Sequence, residues 1–407
     1  MALIVQKYGG TSVGSLDLIR AVADKVAALR AHGDGVVVVV SAMGDHTDRL
    51  VDLARGVCHA PEPRELDVLL STGEQVSIAL VAMALNARGC RARSYTGAQV
   101  RVLTSAVPTK ARILGIDTER LERDLAAGIV PVVAGFQGVS EQGDITTIGR
   151  GGSDTTAVAL AVALKADECQ ILTDVDGVYT TDPRMVPDAR RIERISFEEM
   201  LELAGQGARV MHLRAVEFGA KYNLPIRVLS SFSPGAGTLI CREDEHVEAP
   251  VVAGIAFNRD EAELTVTGLP DAPGTAVGVL KPVSEAAIEV DMIVLNAPRS
   301  GVVDLSFTVH RDEFAQALRL VKEAAAAHPG AQVSGNDRVA KLSVVGVGMR
   351  SHAGVATRLF ETLARDGTRV RMITTSEIRV SVLIEEALLE RSVRSLHAAF
   401  ELAAPKN

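Results

Sequence analysis

Apolar residues along the first half of the chain fall into two alternating periods. Ala2 to Gln6 is a short apolar run, and Leu16 to Arg30 places Leu18, Val22, Val26 and Leu29 at helical spacing. Gly35 to Ser41 is a nearly unbroken valine run, the pattern of a strand covered on both faces. The pattern then predicts a helix over Gln75 to Arg88, a strand over Ile129 to Ala134 and an alanine-rich helix over Thr155 to Leu164. Short strands follow over Cys169 to Thr173 and Ile226 to Val228. Valine-rich strands alternating with helices imply an α/β sandwich around a mainly parallel sheet. Ligands of such sheets sit beyond the C-terminal ends of the strands. The chemically dense segments described below fall at those ends.

The pattern changes after Ser231 to Gly237, which is rich in Ser, Pro and Gly, and the charged stretch Arg242 to Glu248. A domain boundary is placed there. Beyond it four blocks recur in register. Leu264 to Gly268 matches Leu342 to Gly346, and Ala272 to Ala276 matches His352 to Ala356. Val290 to Ile293 matches Val370 to Ile373, and Leu305 to Val309 matches Val380 to Ile384. Each copy reads strand, glycine turn, helix, strand, strand, helix, which predicts a ferredoxin-like βαββαβ module used twice. The expected division is 1–245, 250–335 and 336–407, with the strand near 251–258 a candidate to pack into the second module.

Composition narrows the class. A chain of 407 residues suits two or three domains. Aromatics make up only 3% with no Trp, so the core must be mostly Val, Leu, Ile and Ala. The net charge of −8 argues against a nucleic-acid surface. Cys58, Cys90, Cys169 and Cys241 are scattered with no C-x-x-C pair, as expected of reduced thiols inside a cell. The start lacks the layout of a signal peptide, and the apolar run Val36 to Val40 is too short to span a bilayer. A cytoplasmic protein with no membrane or nucleic-acid partner is expected.

Three segments carry chemistry. Val5-Gln-Lys7-Tyr8-Gly9-Gly10-Thr-Ser-Val-Gly14 joins a strand to a helix-like stretch through glycines, hydroxyls and a lysine. Backbone N–H groups in such a turn can approach a phosphate, and the lysine adds a point charge. No G-x-x-x-x-G-K-[ST] loop occurs, and a plain strand-to-helix turn with a surface lysine reads equally well at this point. The second segment, Thr146 to Thr156, contains Gly149-Arg150-Gly151-Gly152-Ser153-Asp154 ahead of the alanine-rich helix. Arg150 suits two-pronged binding of a carboxylate or phosphate. The plainer reading makes Asp154 a helix-start residue and Arg150 a surface charge. The third, Thr173 to Arg184, is dense in acids and hydroxyls but lacks the spacing of a calcium loop.

Together, Lys7-Tyr-Gly-Gly-Thr-Ser, Gly149-Arg-Gly-Gly-Ser-Asp and Thr173-Asp-Val-Asp-Gly-Val-Tyr-Thr-Thr-Asp-Pro-Arg resemble the aspartokinase family over essentially the whole chain. These are amino-acid kinases carrying a tandem ACT regulatory region. Val345 to His352 and Thr375 to Ile378 resemble ACT segments. The resemblance implies an amino-acid-kinase-like αβα sandwich followed by two ACT domains. It also implies Mg-ATP-dependent phosphorylation of the β-carboxylate of L-aspartate, the first step toward lysine, threonine and methionine. The nucleophile has an ordinary pKa of about 3.9, so no base is needed to ionise it. Alignment and charge compensation must do the catalysis.

The resemblance also implies roles. Lys7 and Asp154 are the expected catalytic pair. Lys7 would contact the transferring phosphate, and Asp154 would orient Lys7 or a magnesium-bound water. Tyr8, Gly9, Gly10, Ser41, Thr173, Asp174, Tyr179, Asp182, Arg184 and Arg209 would line ATP, with Mg2+ carried by the nucleotide and no separate metal site. Glu74 would pair with the aspartate ammonium, and Arg150, Gly151, Gly152 and Ser153 would bind its carboxylates with Thr47 closing over it. On its residues alone, Glu74 reads equally well as a helix-start charge. Arg209 and Leu213 stand where the family often has lysine and proline, and Leu295 where glutamine is common. Lysine and/or threonine would bind near Asp271, Gly274, Ala276, Asp291 and Asn296, with Thr375 and Ser376 opposite. A homo-oligomer through the ACT domains is expected, possible company being a shorter regulatory subunit. The competing readings are a glutamate or acetylglutamate kinase and an amino-acid-sensing regulator without activity.

Overall fold

A computed structural model describes residues 2–208, 210–243, 251–296, 301–350, 352 and 354–403. The chain forms two compact units. The first comprises Met1–Val178, Arg191–Ala204 and Arg209–His246; the second comprises Tyr179–Arg190, Gly205–Ala208 and Val247–Asn407.

The first unit runs β1 (Leu3–Tyr8), α1 (Leu16–Ala31), β2 (Gly35–Val40), α2 (His46–Val57), α3 (Pro63–Asn86), β3 (Ala92–Tyr95), β4 (Val102–Thr104), β5 (Ile113–Ile116) and α4 (Glu119–Ala126). It continues through β6 (Val130–Ala134), β7 (Gln137–Ser140), β8 (Ile145–Thr147), α5 (Gly152–Ala163), β9 (Glu168–Thr173), β10 (Arg194–Ser196), α6 (Phe197–Gly205), α7 (Leu213–Tyr222), β11 (Ile226–Ser230) and β12 (Thr238–Cys241). The main sheet has eight strands in the order β10-β12-β11-β9-β1-β2-β6-β3. Every pairing in it is parallel except β11 with β12. A small sheet, β5-β4-β7-β8, accompanies it.

The valine run behaves as its pattern requires. All of β2 is buried. Val36, Val38 and Val40 share a core with Ile19, Val22 and Val26 of α1 and Ile78, Val81 and Leu85 of α3. Strand alternation sends Val37 and Val39 to the other face, where α5 lies against β1 and β2. Alanine is dense in α5 because that helix is almost wholly enclosed.

One element departs from the sequence reading. The helix expected over Gln75 to Arg88 begins at Pro63, with proline at its first turn and Glu62 capping it. By length and composition α3 could cross a membrane. Here its apolar face builds the core, and buried Asp67 and Glu74 lie on it. Past the Ser/Pro/Gly stretch, β12 returns to pair with β11 and β10.

The second unit contains β13 (Gly254–Pro270), α8 (Thr275–Glu285), β14 (Val290–Leu295), β15 (Val302–His310), α9 (Phe314–Ala325), β16 (Gln332–Val345), α10 (Val355–Arg365), β17 (Met372–Ser376), β18 (Arg379–Glu385) and α11 (Leu389–Ala399). One sheet, β14-β15-β13-β16-β18-β17, serves both copies of the repeat. β13 and β16 are long and antiparallel. Glu263 to Thr267 pairs with Gln332 to Asn336 in the first copy, and Gly254 to Asn258 pairs with Lys341 to Val345 in the second. Each strand therefore works in both modules. Each module also keeps its own helix-covered core.

Candidate active site

Register brings the candidate residues of the first unit to one sheet edge. Tyr8, at the end of β1, lies opposite Val40 of β2 and Leu172 of β9, so three loops leave side by side. Their backbones interlock. Gly9 N–H donates to Leu172 C=O at 3.2 Å, Ser41 N–H to Tyr8 C=O at 3.1 Å, and Gly44 N–H to Gly10 C=O at 3.0 Å. Tyr8 itself is buried, with its hydroxyl donating to Gln6 and burial pushing its pKa upward.

Lys7 extends from β1 toward the start of α5. Its Nζ lies 2.7 Å from Asp154 Oδ1, both side chains nearly enclosed, in an ion pair outside hydrogen-bond alignment. The turn that delivers Asp154 depends on glycine. Gly151 caps α5 with φ +66°, and an added Cβ would fall 2.1 Å from the His212 ring. A side chain there is excluded both by conformation and by space. Thr155 and Thr156 hydroxyls donate back to Gly151 and Gly152 carbonyls at 3.0 and 2.8 Å, and Arg214 Nη1 donates to Ile148 C=O at 2.8 Å. The turn is thus fixed from both sides. Ser153 is buried against Gly135, whereas Arg150 is exposed.

Glu74 arrives from α3. Gly73 allows the helix to approach the loop after β2, where its Cβ would meet that of Ala42 at 2.9 Å. Ala42 N–H then donates to Glu74 Oε1 at 3.1 Å, while Oε2 is buried without a partner. Burial raises the carboxyl pKa to about 7, against the smaller pull of the backbone hydrogen bonds. An enclosed carboxylate with one free oxygen is matched to a cation. Thr47, in the first turn of α2, is half-buried.

The acid- and hydroxyl-rich third segment is divided between the units. Thr173 and Asp174 stay at the end of β9 and hydrogen-bond each other at 3.1 Å, with Asp174 exposed. Val178 is held by Thr238, whose hydroxyl accepts its N–H at 2.8 Å. Tyr179, Asp182 and Arg184 belong to the second unit. There Asp182 and Arg184 pair at 2.8 Å, and Met185, Val186 and Ala189 enter the core around Leu359 and Leu396. Arg209 lies outside the described residues.

In the second unit, Gly274 caps α8 with φ +91°, and Ala276 follows in the first turn. Asp271 N–H donates to Gly301 C=O and Asn296 N–H to Asp304 C=O, each at 3.0 Å. Asp291 is engaged in an ion pair with Lys341. Thr375 and Ser376 pair with Val380 and Arg379 in β17–β18. A cluster including Met292 and Met372 brings β14 close to β17.

Three supporting residues escaped the sequence reading. Asp67 is fully buried and accepts from Thr109 N–H at 2.9 Å, Thr147 N–H at 2.8 Å and Thr147 Oγ1 at 2.6 Å. It fastens α3 to the small sheet. His212 packs on Gly151, and burial lowers its pKa despite the opposing influence of Asp154. Ser231 Oγ lies 2.5 Å from Ser12 Oγ beneath the first glycine turn. Only the requirement for glycine at Gly151 signals any of this in the sequence.

This geometry, an anion-ready set of turns around an enclosed lysine, can be set beside known proteins. Residues 2–230 match the amino acid kinase family and residues 342–400 the ACT domain. The chain is 61% identical over 408 residues to an aspartate kinase of Pseudomonas fluorescens, covering 100% of this chain and 99% of that one. Among solved structures, E. coli aspartokinase III in complex with aspartate and ADP, in its R-state, superimposes with a TM-score of 0.81. It is 28% identical, with 98% of this chain and 99% of that chain covered. The same enzyme with lysine and aspartate, in its T-state, gives a TM-score of 0.77 at 28% identity, covering 98% and 99%. The chain belongs to the amino acid kinase family and, within it, to the ACT-bearing aspartokinases.

Proposed function

We propose that this chain transfers the γ-phosphoryl group of ATP to the β-carboxylate of L-aspartate, releasing ADP and 4-phospho-L-aspartate. A new P–O bond forms to the carboxylate oxygen as the bond to the ADP oxygen breaks. The observation that carries the reading is the enclosed Lys7–Asp154 pair between two glycine turns, in a unit that also holds the buried, unpartnered oxygen of Glu74. Lys7 compensates charge on the phosphoryl group in flight, and Asp154 holds the ammonium in place. Gly9 and Gly10 form the turn that lines the phosphates with Ser41, the Gly9 N–H being taken by Leu172 C=O, while Tyr8 supports their strand from within the core. Thr173 and Asp174 flank the nucleotide, and Tyr179, Asp182, Arg184 and Arg209 complete its surroundings. Glu74 takes the substrate ammonium; Arg150, Gly151, Gly152 and Ser153 take its carboxylates, and Thr47 closes over it. Mg2+, arriving with the nucleotide, supplies further charge neutralisation. Among the described residues no cluster of three or more His, Cys, Asp or Glu is arranged to hold a metal ion.

Residues 1–245 form the catalytic domain in this reading, with regulatory modules at 250–335 and 336–407. Lysine and/or threonine act as feedback effectors at the region around Asp271, Gly274, Ala276, Asp291, Asn296, Thr375 and Ser376. The lysine complex of the E. coli structure supports control of this kind. The enzyme works in the cytoplasm at the head of lysine, threonine and methionine synthesis, as a homo-oligomer joined through its ACT modules. Coupled ADP-release assays with aspartate and glutamate test the substrate. Titration with lysine, threonine and both tests the control. Preference for glutamate would overturn the first assignment, and indifference to both effectors the second.

A further inference from the structure

The two modules of the second unit repeat each other in detail. Met292 corresponds to Met372, and the hydroxyl pair Thr265–Ser306 (2.9 Å) corresponds to Ser343–Ser381 (2.7 Å). Against this similarity, one set of equivalent positions is inverted in charge. Glu263 and Asp291 of the first module stand where Lys341 and Arg371 stand in the second. The bridges cross between modules. Arg371 Nη2 lies 2.6 Å from Glu263 Oε2, and Lys341 Nζ contacts Asp291. The inner members are enclosed, the Lys341 side chain being 4% and that of Glu263 7% exposed. Flanking acids complete each set: Glu261 lies 3.3 Å from Lys341, and Glu385 lies 2.9 Å from Arg371.

Each module therefore carries one sign at both positions. The first is acid at 263 and 291; the second is base at 341 and 371. Unlike modules meeting through this face make two bridges. Like modules would bring four acids or four bases together, two of each four at enclosed positions. Stability alone does not require this pattern, since apolar side chains can serve equally well in such a position. Selection between partners does require it, because repulsion in the wrong pairing is what discriminates.

We propose that Glu263, Asp291, Lys341 and Arg371 form a two-position charge code that directs the first module to the second and disfavours pairing of like modules from two copies of the chain. The code is separate from the reaction and stands whether or not the substrate assignment does. Contacts between copies must then use other surfaces of the unit.

Thermal melting of the full chain tests it. In the native sequence, Glu263→Lys should melt lower than Glu263→Gln by roughly 10 °C, and Asp291→Lys lower than Asp291→Asn by a few degrees, since reversal adds repulsion to a lost partner. A second set uses a background of Glu261→Gln and Glu385→Gln, which removes the flanking acids. There Lys341→Glu with Arg371→Glu makes both modules acidic, and Glu263→Lys with Asp291→Lys makes both basic. These two variants imitate the two like pairings. Each should melt well below the background, or fail to accumulate as soluble protein. Combining all four changes restores opposite signs and should return melting to within a few degrees of the background. The code is overturned if reversal is no worse than neutralisation. It is equally overturned if the combined variant is no better than either half, including the case where it also fails to fold.

Discussion

Replacing Glu74 with glutamine should move substrate affinity and stability in opposite directions. The native carboxyl is raised from 4.5 to about 7 by burial. A folded-state value above the unfolded one means the folded protein holds the proton more tightly between those two values. Stability contributed by the protonated form is complete below pH 4.5 and is lost as pH rises through about 7. Ionising the enclosed group thus costs on the order of 3 kcal/mol at pH 8. Glutamine keeps the shape and can still accept from Ala42 N–H, without that charge. Its amide N–H2 group inherits the unpartnered side of the pocket, which costs about 1 kcal/mol. The net expectation is a gain of about 2 kcal/mol at pH 8, visible as a melting point a few degrees higher, and little gain at pH 5. Aspartate should meanwhile bind roughly 100-fold more weakly, as expected when a buried charge pair is lost, with the KM for ATP nearly unchanged. In the native enzyme, kcat/KM for aspartate should climb with pH through about 7, and the variant should lack that limb. Melting curves and initial rates between pH 5 and 9 measure both. A variant less stable than the parent at pH 8, or one that keeps the rising limb, would refute the reasoning.

Further outcomes follow from the same site. Lys7→Ala should lower kcat about 100-fold or more with a smaller change in the KM for aspartate, because its charge matters most as the phosphoryl group moves; steady-state rates decide this. Gly151→Ala should abolish activity and lower the melting point, since a Cβ there meets the His212 ring at φ +66°. Pairing it with His212→Gly removes both the ring and the His212 Cβ that the added atom would meet while leaving the conformational strain, so calorimetry should find partial recovery of stability. Ser376→Tyr should relieve inhibition by lysine or threonine while sparing uninhibited activity, which effector titrations can show.

What could be read in advance followed locality. The run Gly35 to Val40 declares a strand buried on both faces because each of its positions is apolar. The first turns of α3 were hidden because Ser71, Thr72, Gly73 and Glu74 look like loop chemistry. Their fitness for a helix comes from partners far away, such as Ala42 for Glu74 and Thr147 for Asp67. For the sharing of β13 and β16 between modules only the strand near 251–258 gave a hint, since antiparallel pairing across some 80 residues leaves little local trace. Lys7, Gly151 and Asp154 were legible as an anion-binding vocabulary. That Lys7 and Asp154 meet at 2.7 Å required the parallel register of β1 and β9 and the placement of α5. In the segment after Val178, the apolar Met185, Val186 and Ala189 carry the local sign that this stretch enters the core of the second unit.

The central claim is transfer to the β-carboxylate of aspartate, and trapping the product tests it most directly. An acyl phosphate reacts with hydroxylamine, so the purified chain with Mg-ATP, L-aspartate and hydroxylamine should yield the β-hydroxamate of aspartate in step with ADP. Lys7→Ala should reduce both equally. ADP release that ignores aspartate, or hydroxamate formed from glutamate in preference, would contradict the account.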